Sequence, residues 1–247
     1  MTAWYFSYQF MMVFRFMACA LMWALLIFTV CIDQKYYGRP QAAYFSQFGI
    51  YMTTFLFTLL VISHLKTSSF QTVDYDNPSP WRLWKWCNFL LPMNFHWQFL
   101  TTTLYWLVIY WQIRPTLILQ PTSIQIEYYL GHSLPGLLVT SDMWLLNSTT
   151  FTYSHSYAIV GFYIAFFTGL SIFISNFGNE FFGVESETEF NVWTVFNLLL
   201  YAIVTYVILY NINYYLKISM IHTKEVHYDP AETLDRETEE EEIPFLE

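Results

Sequence analysis

The stretch YYLGHSLPGLLVTSDMW, residues 128–144, is mostly apolar but contains two ionisable side chains, His132 and Asp142, together with Pro135. An imidazole can act as a general base, and ionisable groups inside a membrane are costly and usually face a protein interior or a cavity. In a helix, Pro135 removes one backbone hydrogen bond and leaves a carbonyl near residues 129–131 that could orient the imidazole. Gly131, beside the histidine, lets another helix or an acyl chain approach closely. The segment therefore predicts one wall of a pocket.

The composition of the whole chain indicates a membrane protein. Of its 247 residues, 55% are hydrophobic, 22% are aromatic and only 12% are charged, whereas soluble domains contain about 25% charged residues. Aromatic rings are enriched where membranes meet water. The net charge of −9 reflects an acidic C-terminal segment, because ten of the 19 acidic residues follow Lys217. No basic patch indicates nucleic acid, and three widely separated cysteines indicate no disulfide framework.

Six apolar segments are each long enough to cross a bilayer core of about 30 Å as a helix of about 20 residues. They cover roughly residues 9–31, 44–64, 88–112, 125–146, 155–176 and 192–215. Their length and lack of strict alternation favour helices over a β-barrel. We therefore predict an all-α polytopic transmembrane bundle of about six helices over residues 1–216. An acidic tail over residues 217–247 should be disordered or bound by a partner.

The distribution of Lys and Arg near the helix ends predicts the orientation of the bundle. Six lie on one side (Lys66, Arg82, Lys85, Lys217, Lys224 and Arg236) and three on the other (Lys35, Arg39 and Arg114). Both termini should therefore lie on the cytosolic or matrix side. The predicted location is the endomembrane system or the plasma membrane, with the mitochondrial inner membrane as the alternative. The predicted partners are membrane lipids, and other membrane-protein subunits bound through the acidic tail are the alternative; no cofactor is predicted.

Position along the helices sorts the polar residues into two layers. Ser46 and His132 lie about 3 Å and 10 Å below the predicted starts of the second and fourth helices. Asp142 follows His132 by ten residues, about 15 Å along the helix axis, so the two cannot form one local pair. The second layer contains His64, His96, Asp142 and His155. We expect Asp142 to serve packing or helix pairing, and three of these four residues to lie at helix ends in contact with water or headgroups.

Two other features have simple structural interpretations. Arg15, inside the first helix, is predicted to anchor the helix end by extending its side chain toward the interface. His64, His96 and His155 could together bind a metal ion. Because no HxxxH or ExxH spacing supports such a site, we predict no metal.

Three stretches carry a family resemblance. They are YFSQFGIYMTTFLFTLLVISH (residues 44–64), WRLWKWCNFLLPMNFHWQFLTTTLYWLVIYW (residues 81–111) and the opening segment. The chain resembles the androgen-induced, FAR-17a-like membrane proteins and the related rolling-stone proteins, which have six helices and similar length. The animal androgen-induced members hydrolyse fatty-acid esters of hydroxy fatty acids, using a Thr early in the second helix and a His early in the fourth. Ser46 stands where that Thr stands, which keeps a hydroxyl, and His132 takes the place of that His.

The resemblance implies a membrane-embedded lipid ester hydrolase. Ser46 would be the nucleophile, and His132 would be the base that activates it. A hydroxyl of Tyr51, Thr53 or Thr54 would stabilise the oxyanion. The predicted substrate-binding residues are Gly131, Pro135, Tyr51 and Thr53. The alternative is a non-catalytic structural subunit of a larger membrane complex, for example a mitochondrial inner-membrane assembly. A transporter or channel has less support, because no paired interrupted half-helices occur.

Overall fold

The computed structural model describes residues 8–38, 45–67, 82–146, 153–177 and 192–226. These residues form six helices and no strand, which confirms the predicted all-α fold. The helices are α1 (Tyr8–Tyr37), α2 (Phe45–Thr67), α3 (Arg82–Leu104, then a π-helical turn Tyr105–Ile109 and an α-helical end Tyr110–Leu117), α4 (Thr122–Ser141, then a π-helical turn Asp142–Leu146), α5 (Tyr153–Phe177) and α6 (Val192–Val226).

Three helices extend clearly beyond their predicted ends, and the first of them, α1, runs to Tyr37 instead of ending near residue 31. Helix α3 continues to Leu117 with Pro115 inside it, so much of the stretch between the third and fourth predicted segments, residues 113–124, is helical. Prolines are tolerated in membrane helices because neighbouring groups satisfy the freed backbone atoms. Helix α6 runs to Val226, past the predicted boundary at residue 216. The rest of the predicted acidic tail, residues 227–247, lies outside the described residues.

Three stretches within the described helices are long and apolar enough to cross a membrane, namely Gln9–Tyr36, Ser46–Lys66 and Leu199–Leu216. Each of them presents large apolar side chains on its exposed face, such as Val13, Phe55 and Val207. Faces of this kind suit contact with lipid chains rather than water. The chain is therefore a membrane protein by the length and composition of these helices, and spans by α3, α4 and α5 stay predictions.

Helix α3 occupies the centre of the bundle. Every residue from 91 to 98 is buried, and α3 packs against α2, α4, α5 and α6. A helix that is buried all round belongs in a core. At its middle, Trp97 stacks on Tyr163 of α5 with ring centroids 5.0 Å apart. Part of the aromatic content thus fills the interior instead of lying at the membrane interfaces.

The buried face of α1 advances in alternating steps of four and three residues. Its members are Met11, Arg15, Ala18, Met22, Leu25, Thr29 and Ile32. This spacing keeps one stripe of a helix against its neighbours. Because Arg15 and Thr29 lie within an otherwise apolar stripe, each needs a polar partner inside the bundle.

Contacts at both ends show that α1 runs antiparallel to α4. The Tyr36 hydroxyl lies 3.2 Å from Ser123 Oγ at one end, and Arg15 bonds to Asp142 at the other. We call the first end, where α1 ends and α2 and α4 begin, the His132 end. The opposite end is the Asp142 end.

Candidate functional site

The imidazole of His132 is held by the backbone of its own helix. Its Nδ1 donates a hydrogen bond of 2.7 Å to the carbonyl oxygen of Tyr128, one turn earlier in α4. Since a carbonyl can only accept, the neutral ring keeps its lone pair on Nε2. The carbonyl freed by Pro135 belongs to Gly131, four residues before the proline. The prediction that a carbonyl of residues 129–131 orients the imidazole is wrong. The carbonyl of Tyr128, one helical turn before His132, does so instead.

A π-helical turn in α3 supplies the second constraint on this ring. His132 stacks on Tyr105, with ring centroids 3.7 Å apart and planes inclined by 14°. Tyr105 opens the π-helical turn, in which the Tyr110 N–H bonds to the Tyr105 carbonyl five residues back. The wider turn changes which side chains face the neighbouring helix, and such turns often occur at functional sites. Stacking and the Nδ1 bond together fix the orientation of the imidazole and leave Nε2 as its remaining polar atom.

Two contacts set the register between α2 and α4. Gln47 Nε2 donates to Glu127 Oε1 at 2.9 Å. One turn further along both helices, a methyl group placed on Gly131 would lie 3.4 Å from Ile50 Cδ1. Residue 47 is thus level with 127, and residue 50 with 131, so the two helices run in the same direction.

The register separates the predicted nucleophile from the predicted base. His132 is level with about residue 51, whereas Ser46 lies five residues earlier, about 7.5 Å along the axis. Ser46 is half-buried in the first turn of α2. Among the described residues, no hydrogen bond joins it to His132, whose bond goes to Tyr128. The two residues therefore lie on packed helices in the same half of the bundle, with an axial gap between them.

The predicted substrate-binding residues have different surroundings. Gly131 and Pro135 are buried on α4, and Tyr51 is half-buried on α2. These three lie close in level to His132. Gly131 contacts α2 rather than facing open space, so it allows close helix packing, as the sequence led us to expect of a glycine here.

Thr53 belongs to a buried polar network that the sequence did not reveal. Its hydroxyl donates to the Gly49 carbonyl at 2.8 Å and accepts from Gln98 Nε2 at 2.7 Å and from Asn94 Nδ2 at 3.0 Å. To donate a hydrogen bond to an oxyanion, the Thr53 hydroxyl would have to give up its bond to the Gly49 carbonyl. The signal available in the sequence was the pair Asn94 and Gln98, four residues apart and hence on one face of α3.

A buried ionic cluster lies at the Asp142 end. Arg15 Nε and Nη2 donate to the two Asp142 carboxylate oxygens at 2.6 and 2.7 Å, and both side chains are fully buried. Arg15 Nη1 donates to His64 Nε2 at 2.9 Å. The prediction that Arg15 extends to the interface is wrong, because the buried stripe of α1 carries it inside the bundle. The predicted role of Asp142 in helix pairing is confirmed.

His96 lies deeper in the bundle than predicted. Helix α3 begins at Arg82, so His96 is in the middle of the helix rather than near its start. Its Nε2 donates to the Ala202 carbonyl at 3.0 Å, and the Tyr163 hydroxyl donates to its Nδ1 at 3.1 Å. Both ring nitrogens are thus occupied by bonds that join α3 to α5 and α6.

His155 bonds to the backbone of Asn88 on α3. The residue four positions after Asn88 is Pro92, which has no N–H for that carbonyl. The histidine thus satisfies a carbonyl that the proline leaves without its helical donor. The expectation of water or headgroup contact at the helix ends is wrong, since His64, Asp142 and His155 are 0%, 0% and 7% exposed. Within the described ranges, no three His, Cys, Asp or Glu side chains are grouped to hold a metal ion.

No protein-family model matches this chain, and neither a curated protein nor a solved structure matches it. The family resemblance therefore stays a prediction that rests on the three sequence stretches. The two polar layers are the features of the fold from which a function can be inferred.

Proposed function

We propose that the chain is a membrane-embedded lipid ester hydrolase in which His132 is the base and Ser46 the nucleophile. The observation that carries the proposal is the fixed orientation of the His132 ring, with Nδ1 donating to Tyr128 and the lone pair on Nε2. A general base needs this tautomer, and in a triad a third group holds the imidazole in it. Here the backbone carbonyl takes the part of that third group, so Ser46 and His132 form a dyad.

The reaction transfers an acyl group from a lipid alcohol to water. Ser46 Oγ attacks the ester carbonyl while His132 Nε2 removes the hydroxyl proton, and that proton passes to the leaving alcohol. Water, activated by the same base, then hydrolyses the acyl-serine. Catalytic hydrogen bonds are often long before substrate binds. We expect substrate binding to close the axial gap of about 7.5 Å between the two groups.

Labelling with an activity-based serine-hydrolase probe tests the dyad. Wild type and the matched control Ser123→Ala, which removes a hydroxyl from the start of α4, should be labelled. Ser46→Ala and His132→Ala should both lose labelling. If labelling persists in Ser46→Ala but disappears in Tyr51→Phe, the nucleophile is the Tyr51 hydroxyl, which is level with His132. No labelling of wild type would overturn the hydrolase.

A non-catalytic membrane subunit is the second candidate, and the complete pairing of the polar groups around Arg15 and His96 favours it. Arg15 bonds to Asp142 and His64, and both nitrogens of His96 have partners. Fully satisfied buried networks rigidify a core rather than offering reactive groups. A subunit should migrate with a larger complex after mild detergent extraction, whereas an independent enzyme should leave as a small species.

A further inference from the structure

Unsatisfied oxygen atoms meet at the His132 end of the bundle. Glu127 is 5% exposed; its Oε1 accepts from Gln47 at 2.9 Å, but its Oε2 is buried without a hydrogen-bond partner. Gln47 Oε1 is also buried without a partner. The bond between these two side chains fixes both of them and leaves one oxygen of each unsatisfied. Buried polar atoms are rarely left without a partner, and a bound ion or an ordered water is one explanation for such an atom.

Helix α1 adds two oxygen-bearing side chains to this region. Thr29 is fully buried, and its Oγ1 has no hydrogen-bond partner. Asp33 is also buried, one turn further along α1, and lies close enough to Glu127 for their negative charges to repel each other. Two carboxyl groups are thus buried on the neighbouring helices α1 and α4.

The register of α1 against α4 places these groups at one level. The ion pair at the Asp142 end and the bond from Tyr36 to Ser123 at the other end fix the alignment of the two helices. Between these two contacts, Glu127 of α4 is level with residues 30–32 of α1. It therefore lies between the levels of Thr29 and Asp33.

The register of α1 against α2 agrees. The Thr54 hydroxyl lies 3.4 Å from the Met22 carbonyl of α1. Because the two helices are antiparallel, moving seven residues toward the His132 end brings Gln47 level with Thr29. Oxygen-bearing side chains of three neighbouring helices therefore lie at about one level.

The chemistry of these ligands selects a hard cation. Carboxylate, amide and hydroxyl oxygens are the ligands of Ca²⁺, whereas zinc prefers nitrogen and sulfur. A buried carboxylate is costly unless a positive charge compensates it, and two of them favour a divalent ion. Ca²⁺ accepts the irregular geometry that side chains from three helices provide, whereas Mg²⁺ demands a near-ideal octahedron.

We propose that a Ca²⁺ ion binds at the His132 end and joins the end of α1 to the starts of α2 and α4. Its protein ligands are the side-chain oxygens of Thr29, Asp33, Gln47 and Glu127, and water completes the coordination. The site uses neither Ser46 nor His132, so it does not rest on the proposed hydrolase activity.

Calcium binding to the purified full-length protein tests the site. After chelation, CaCl2 should raise the Tm in detergent, and equilibrium dialysis should detect a bound ion. Glu127→Gln, which removes one ligand charge, should weaken Ca²⁺ binding by about tenfold or more, because ligand charge tunes the affinity. Thr29→Val, which keeps the shape but removes the oxygen, should reduce the Tm response. Thr116→Ala, which removes an exposed hydroxyl from the end of α3 at the same end of the bundle, should respond like wild type.

Carboxylates of the acidic C-terminal segment are a second place where added Ca²⁺ could bind, and the variants distinguish such binding from the proposed site. Glu127→Gln and Thr29→Val both keep that segment intact. An unchanged Ca²⁺ response in both variants would therefore overturn the site, as would a wild-type Tm that is insensitive to Ca²⁺. A response to NaCl or MgCl2 but not to CaCl2 would also overturn the calcium assignment.

Discussion

Arg15 shows what a single charged residue requires inside an apolar bundle. Its guanidinium makes two parallel bonds to Asp142 and a third to His64. Parallel bonds between a guanidinium and a carboxylate are among the stronger hydrogen bonds in proteins, and they also fix geometry. Burial of the pair costs solvation, so its main effect is to specify how α1, α2 and α4 fit together.

Removal of one partner from this ion pair should be strongly destabilising. Asp142→Asn leaves the Arg15 charge buried without its counter-charge, and we expect a loss of about 3–5 kcal/mol in the free energy of unfolding. Unfolding by SDS in mixed micelles, followed by circular dichroism, measures the change. Lys66→Met, which removes an exposed charge at the end of α2, should change it by less than about 0.5 kcal/mol.

Replacement of both partners distinguishes pairing from packing. The double variant Arg15→Met/Asp142→Leu removes both charges, and we expect it to be more stable than Asp142→Asn, because apolar residues of similar volume can replace a buried ion pair. A double variant less stable than the single one would show that the cluster contributes more than charge compensation.

At the scale of the elements, the two π-helical turns coincide with the two polar layers. The turn in α3 begins at Tyr105, which stacks on His132. The turn that ends α4 begins at Asp142, which pairs with Arg15. A π-helical turn contains one residue more than an α-helical turn, so it rotates the following residues around the helix axis. Each turn therefore changes the face that the following residues present, at the point where a polar contact forms.

The contact between α3 and α4 depends on Gly136. A methyl group there would lie 2.5 Å from Thr102 Oγ1, so Gly136→Ala should force the helices apart and cost about 1–3 kcal/mol. The free energy of unfolding in mixed micelles measures this cost. Gly161→Ala on α5, where a methyl group meets nothing within 4 Å, is the matched control and should not destabilise.

A second substitution tests the cause of that destabilisation. Thr102→Ala removes the clashing oxygen, and the remaining Thr102 Cβ lies at an ordinary 3.5 Å from the new methyl group. Thr102→Ala should therefore restore most of the stability lost in Gly136→Ala. If Gly136→Ala lowered the free energy of unfolding equally with and without Thr102→Ala, the explanation by a clash with Thr102 would be contradicted.

At the scale of the whole molecule, six helices predict that both termini lie on the same side of the membrane. The charge distribution predicts that this side is the cytosol or the matrix. Tags at the two termini of the full chain, probed with protease in sealed vesicles, should be equally accessible or equally protected. Opposite accessibility would mean that an odd number of helices spans the bilayer, so that one or all three of α3, α4 and α5 do not span it.

The number and order of the described helices, and the membrane character of α1, α2 and α6, followed from the sequence. Hydropathy is a local property, and an apolar segment of about 20 residues forms a membrane helix whatever its neighbours are. Helix spacing alone also separated His132 from Asp142, because ten residues of helix cover about 15 Å. The structure confirms this separation, since the two side chains bond to different residues.

The partners of the polar residues depended on tertiary structure. Nothing local in the sequence pairs Arg15 with Asp142, which is 127 positions away, or places His155 beside the carbonyl that Pro92 leaves free. The register between helices decides such contacts, and it depends on side-chain packing and on two π-helical turns that no sequence pattern revealed. The same register set Ser46 about 7.5 Å along the axis from His132 and brought Thr29, Gln47 and Glu127 to one level.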